Sequence, residues 1–80
     1  MQGQHHSLGE EFPEYRDKIH SLKAVNNHFK TLVERWEAVD KQIARAESRI
    51  ELMSEEQEET LRKTRLALKD EIYEMLVSAM

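Results

Sequence analysis

Four histidines, sixteen acidic side chains and no cysteine form the reactive inventory of this chain of 80 residues. His5 and His6 are adjacent, so on any regular element they point apart, whereas a metal site needs converging ligands and a second layer that orients them. Asp17 and His20 stand at i and i+3 and would share a helix face, offering two ligands where a structural zinc takes four; a solvated charge pair accounts for them. His28 follows two asparagines and falls in the first turn of whatever helix they cap. Glu55, Glu56, Glu58 and Glu59 could suggest a divalent cation, but on a helix they fan over more than half a turn. The helix dipole alone favours acids at such a position. No Ser-His-acid, Cys-His, glycine-rich phosphate loop or H-E-x-x-H pattern occurs. The expectation is a chain that is not an enzyme, with no catalytic residue, cofactor, metal or small-molecule substrate.

Arg62, Lys63, Arg65 and Lys69 are the closest approach to a basic patch, yet acids flank them and the net charge is −4. A salt-bridged, solvated face follows, and nucleic acid is disfavoured as a partner, because phosphate backbones need clustered unpaired cations. Contact with nucleic acid through this face stands as the alternative function. Trp36 lies inside an apolar stripe, where core packing explains it better than stacking on a base or cofactor.

The elements that must position these residues are helical. Hydrophobics make up 39% and charged residues 35%, with only two Gly and one Pro, which favours a folded helical chain over a disordered one. Residues 1–11 hold both glycines and read as a loose, flexible arm. Pro13 suits a first helical turn, Glu14 and Asp17 complement the dipole, and Phe12, Tyr15, Ile19 and Leu22 give a narrow stripe, so a short helix is predicted over 13–25. Asn26 and Asn27 then favour a cap. From Phe29 the apolar positions run Leu32, Trp36, Val39, Ile43, Ala46, Ile50 and Met53, alternating three and four, which at this composition arises by chance roughly 5 times in 10,000 in one frame and roughly 4 times in 1,000 over seven frames. A helix over 27–53 is predicted. Ser54 and Gln57 form an S-x-x-Q capping box that opens a third helix over 55–78, with Leu61, Leu68, Ile72, Met75 and Ala79 on one face.

So short a connection forces the two long helices to run antiparallel. Pairing about Ser54 sets Ala46 against Leu61, Val39 against Leu68, Trp36 against Ile72, Leu32 against Met75 and Phe29 against Ala79. The same register brings Arg49 near Glu58, Glu47 near Arg62, and Asp40 near Arg65 or Lys69. The predicted core is Leu32, Trp36, Val39, Ile43, Leu68, Ile72 and Met75. A second stripe, Leu66, Tyr73, Val77 and Met80, lies rotated by roughly 120–160° from Leu61 on the last helix. One hairpin partner cannot cover both stripes, so either the short helix folds over it with Tyr15, Ile19 and Leu22 or another chain does.

Phe12-Pro13-Glu14-Tyr15, Ile19, Leu22-Lys23, His28-Phe29, Leu32, Asp40, Ile43, then Leu66-Ala67-Leu68-Lys69-Asp70-Glu71-Ile72-Tyr73 and Met75-Leu76 resemble the YdcH family of small proteobacterial proteins. The resemblance spans Phe12 to Leu76, and L-x-L-K-D-E is its most specific element. Gln4-His5-His6-Ser7-Leu8 resembles the N-terminus of some members, which implies that His5-His6 is native. Trp36 departs from the Tyr or His of the family. The resemblance implies a short helical hairpin and, since the family is uncharacterised, no activity.

A chain this small buries only roughly 60% of the surface that its unfolded form exposes, and below about 80 residues one core rarely supplies more than ~3–5 kcal/mol. With no disulfide available, self-association is the remaining reinforcement. No apolar run approaches the ~20 residues that span a bilayer and no signal segment opens the chain, so a cytoplasmic location is expected. The sequence therefore predicts an all-α, coiled-coil-like antiparallel hairpin preceded by a short helix, forming one domain over 12–80. Its predicted role is protein–protein interaction with an unidentified partner and self-association as a homo-oligomer through Tyr15, Ile19, Leu22, Leu66, Tyr73, Val77 and Met80.

Overall fold

The computed structural model describes residues 7–48 and 52–78. They form four helices, α1 (Leu8–Glu11), α2 (Arg16–Val25), α3 (Asn27–Glu47) and α4 (Glu55–Ser78), with a 3₁₀ turn at Pro13–Tyr15 between the first two. No strand occurs among the described residues, and the chain is all-α.

Local chemistry explains most of the boundaries. Asn26 serves two helices: its N–H donates to the Leu22 carbonyl at 2.9 Å, closing α2, and its Oδ1 accepts from the Phe29 N–H at 3.0 Å, opening α3. Ser54 and Gln57 make the reciprocal capping box, with the Gln57 N–H donating to Ser54 Oγ at 3.1 Å and the Ser54 N–H to Gln57 Oε1 at 3.2 Å. Glu55, Glu56 and Glu58 fill the first turn of α4, which covers the predicted range.

Three boundaries differ from the sequence reading. Leu8 to Glu11, read as part of a loose arm, make a helical turn in which Ser7 Oγ accepts from the Glu10 N–H at 3.3 Å; Leu8 is only 2% exposed. Burial of that one leucine against the rest of the chain anchors a turn too short to persist in water. Residues 1–6, His5 and His6 among them, lie outside the described residues. Pro13 starts a 3₁₀ turn, and the α-helix proper begins at Arg16. Finally, α3 stops at Glu47, where the Ser48 N–H donates to the Ala44 carbonyl at 3.0 Å, rather than continuing to Met53. Helices pack with axes roughly 8–10 Å apart, so reversing direction consumes residues that the periodicity alone assigns to the helix. Ile50 lies outside the described residues, and Met53 belongs to the connection.

α3 and α4 run antiparallel in the predicted register, marked by Arg62–Glu47 at 3.2 Å and Arg65–Asp40 at 2.6 Å. Phe29, Leu32, Trp36, Leu68 and Ile72 fill the seam between them, and Ile43 is fully buried further along α3. The core is wider than a two-helix seam, however. Leu8 and Ile19 join it from the N-terminal segment, Val33 and Leu76 are buried beside them, and Val39, Met75 and Leu22 are only partly covered. A helix with one partner buries a narrow stripe, and a second partner buries the flanking positions too. That is why Leu76, four residues beyond Ile72, belongs to the core here.

Candidate functional site

Among the described residues, Val25 and Leu52 are exposed singly at the end of α2 and in the connection before α4, whereas the outer face of α4 carries a row of uncovered apolar side chains. Leu66 is 59%, Tyr73 45% and Val77 39% exposed, and they recur along one stripe of the helix. The N-terminal segment reaches only the middle of that stripe. Phe12 stacks on Tyr73 with ring centroids 5.7 Å apart, and Tyr15 meets Tyr73 edge-on at 6.2 Å. Lys69 extends its ammonium over the Phe12 ring at 5.5 Å and bonds Glu11 at 2.7 Å. Partial withdrawal from water, followed by the neighbouring Tyr73 hydroxyl and Glu14 carboxylate, raises the titration of the Tyr15 hydroxyl above its ordinary value.

The seven residues read as a contact surface therefore separate. Leu66, Tyr73 and Val77 face outward, Tyr15 is half-covered against Tyr73, and Leu22 is partly buried on the core. Ile19 is a correction: at 7% exposure it lies inside the chain's own core, because α2 turns that side chain toward Leu8 and the hairpin rather than outward. Met80 lies outside the described residues.

The basic face is neutralised by its surroundings. Arg62 reaches Glu47 and Glu58, Lys63 pairs with Glu59 at 3.3 Å, Arg65 with Asp40, and Lys69 with Glu11 rather than Asp40. Asp40 is itself only 4% exposed, so Arg65 supplies charge compensation to a buried carboxylate. Among the described residues, no three His, Asp or Glu side chains converge as metal ligands, and no helix is long and apolar enough to cross a membrane. His28 instead lines an open cleft of about 520 Å³ at the end of the hairpin, with Leu22, Asn26, Glu71, Glu74 and Met75.

A family model described as a protein of unknown function, DUF465, matches residues 29–76. The chain belongs to this family. YdcH-like proteins are members of it, so the resemblance in the sequence holds. No curated protein and no solved structure matches the chain. The DUF465 match takes in the facing lengths of α3 and α4; α1 and α2 precede it. In this DUF465 chain, then, the hairpin is the shared part, while the segment that grips Tyr73 and Lys69 lies ahead of the matched residues.

One feature of the DUF465 hairpin has no counterpart in the sequence reading. Trp36 is 2% exposed, and among the described residues its Nε1–H has no hydrogen-bond acceptor. A buried donor left unmet costs roughly 1–3 kcal/mol. Trp36 also lines a cleft of about 160 Å³ with Glu11, Arg62, Arg65, Leu66 and Lys69. Periodicity places a tryptophan on the core face but says nothing about where its ring nitrogen points, so no signal in the sequence could have found this.

Proposed function

We propose that this chain is a protein–protein interaction module that self-associates through the outer face of α4. The observation that carries the reading is the stripe of Leu66, Tyr73 and Val77, three large apolar side chains left in water on one side of a regular helix. Scattered exposed apolar residues need no explanation, whereas a row of them on a rigid element is a docking face. The rings of Phe12 and Tyr15 hold Tyr73 from the side, which limits the side-chain freedom that would be lost on binding. The uncovered stripe is small beside the ~1,000 Å² that a stable interface buries, so association is weak and reversible. The alternative, contact with nucleic acid through Arg62, Lys63, Arg65 and Lys69, draws no support from a face on which each cation meets a carboxylate.

Sedimentation equilibrium over a wide concentration range tests the reading. The expected result is a mass rising above 9.5 kDa with concentration, and a return to that mass in Leu66→Asp with helicity unchanged. A single 9.5 kDa species at every concentration overturns it.

A further inference from the structure

We infer that the face of α4 around Lys69 and Tyr73 is a docking site for the N-terminal segment, residues 7–25, of a second copy of this chain, exchanged by opening at Asn26. The inference rests on the reading that the chain pairs with itself, and it adds a contact that does not use Leu66. The segment carries everything that this face holds. Leu8 is buried in the core cluster, Glu11 bonds Lys69 at 2.7 Å, and Phe12 stacks on Tyr73 with centroids 5.7 Å apart. An identical segment from another molecule makes the same three contacts. The exchanged pair therefore keeps them all and closes with two-fold symmetry, which is why swapping an element is a low-cost route to a dimer.

The hinge is one residue wide. Asn26 is extended, at φ −128° and ψ 106°, yet its N–H already donates to the Leu22 carbonyl at 2.9 Å and its own carbonyl already accepts from the Lys30 N–H at 3.0 Å. Both are bonds that a helix running through Asn26 would make. Turning Asn26 helical joins α2 to α3 and adds bonds from the N–H groups of Asn27, His28 and Phe29 to the carbonyls of Lys23, Ala24 and Val25. It gives up the Phe29 N–H to Asn26 Oδ1 cap. No Gly or Pro lies between Arg16 and Glu47 to resist a continuous helix. At 1.5 Å per residue, residues 16–25 would then project about 15 Å past Asn26, beyond the open end of their own hairpin and away from their own α4. A second copy set end to end presents the matching face there. Val25, beside the hinge, is 81% exposed in the closed chain, and the meeting of two hinges covers it. The Asn26 cap thus sets the balance between the closed chain and the exchanged pair.

Charge reversal at one contact tests the exchange, with Leu66→Asp in every chain to remove pairing through the outer face. Glu11→Lys alone opposes two cations, and Lys69→Glu alone opposes two carboxylates, whether the chain is closed or exchanged. Mixed, the two variants regain both attractive contacts only by trading segments. Sedimentation equilibrium should give twice 9.5 kDa for the mixture and 9.5 kDa for each variant alone. A mixture of Glu59→Lys with Lys63→Glu carries the same net charges but reverses a pair within α4, and should stay at 9.5 kDa. Asn26→Ala removes the cap and favours the continuous helix; at roughly fivefold per hinge and two hinges per pair, it should raise the dimerisation constant about 25-fold. Asn26→Gly keeps a tolerable cap but disfavours the continuous helix, and should lower it. These two variants leave the segment's own contacts intact, so they decide the matter if Glu11→Lys melts α1. A charge-reversed mixture no heavier than its control while both variants keep native helicity, or Asn26→Ala no more dimeric than Asn26→Gly, overturns the exchange. Failure of the outer-face reading is separate: the native mass would then not respond to Leu66→Asp.

Discussion

Leu76→Ala separates a three-element core from a simple hairpin seam. Leu76 is 0% exposed, while its neighbour Val77 is 39% exposed. Truncating a buried leucine to alanine costs about 2–5 kcal/mol, from lost transfer energy plus the cavity left behind, and the upper half applies where several elements wall the site and cannot collapse together. Here Leu76 shares its cluster with Leu8, Ile19, Val33 and Ile72, drawn from four helices. A single core of this size supplies only ~3–5 kcal/mol in total, so Leu76→Ala should remove most of the stability. In urea, with a slope near 1 kcal/mol/M for so small a chain, a loss of ~3 kcal/mol lowers the midpoint by about 3 M. Val77→Ala, a surface change, should move it by no more than about 0.5 M. Far-UV circular dichroism at low micromolar concentration reads both transitions while keeping self-association from adding stability. Equal shifts in the two variants, or a Leu76→Ala shift below about 1 M, would refute the docking of the N-terminal segment beside this residue.

Ser54→Ala deletes the acceptor for the Gln57 N–H and should cost about 1 kcal/mol in thermal or urea unfolding, with helicity lost first from the start of α4. Arg65→Ala should destabilise by roughly 3 kcal/mol and Arg62→Ala by less than about 1, because Asp40 is buried whereas Glu47 is partly exposed; a urea series on the two variants checks the ranking. Tyr15 titrates higher folded than unfolded, so the stability it contributes is complete below its ordinary value of 10.0 and is lost as pH rises through the folded value. Melting temperatures taken above pH 9 should therefore fall more steeply in the native protein than in Tyr15→Phe, and parallel curves would exclude the effect.

Much of the hairpin is legible in the sequence because its causes are short-ranged. A capping box acts over three residues, an Asn cap over the same distance, and an apolar stripe repeats every turn; hence α4, the start of α3, the seam residues from Phe29 to Ile43 and the pairs Glu47–Arg62 and Asp40–Arg65 all follow from spacing. The exposed part of the candidate surface, Leu66, Tyr73 and Val77, was legible for the same reason. What spacing cannot supply is the position of a third element against two others. Leu8 gives no periodic signal, yet it is buried; Ile19 turns inward, Leu76 joins the core, and Lys69 finds Glu11, a partner 58 residues away in the chain. The unmet Trp36 N–H belongs with these, since a ring nitrogen's surroundings are decided by how the elements pack around it. Local hydrogen bonds and period determine which residues form helices and which faces are apolar. Only tertiary packing, where burial on one element competes with burial on another, decides which apolar faces are covered and what is left to bind a partner.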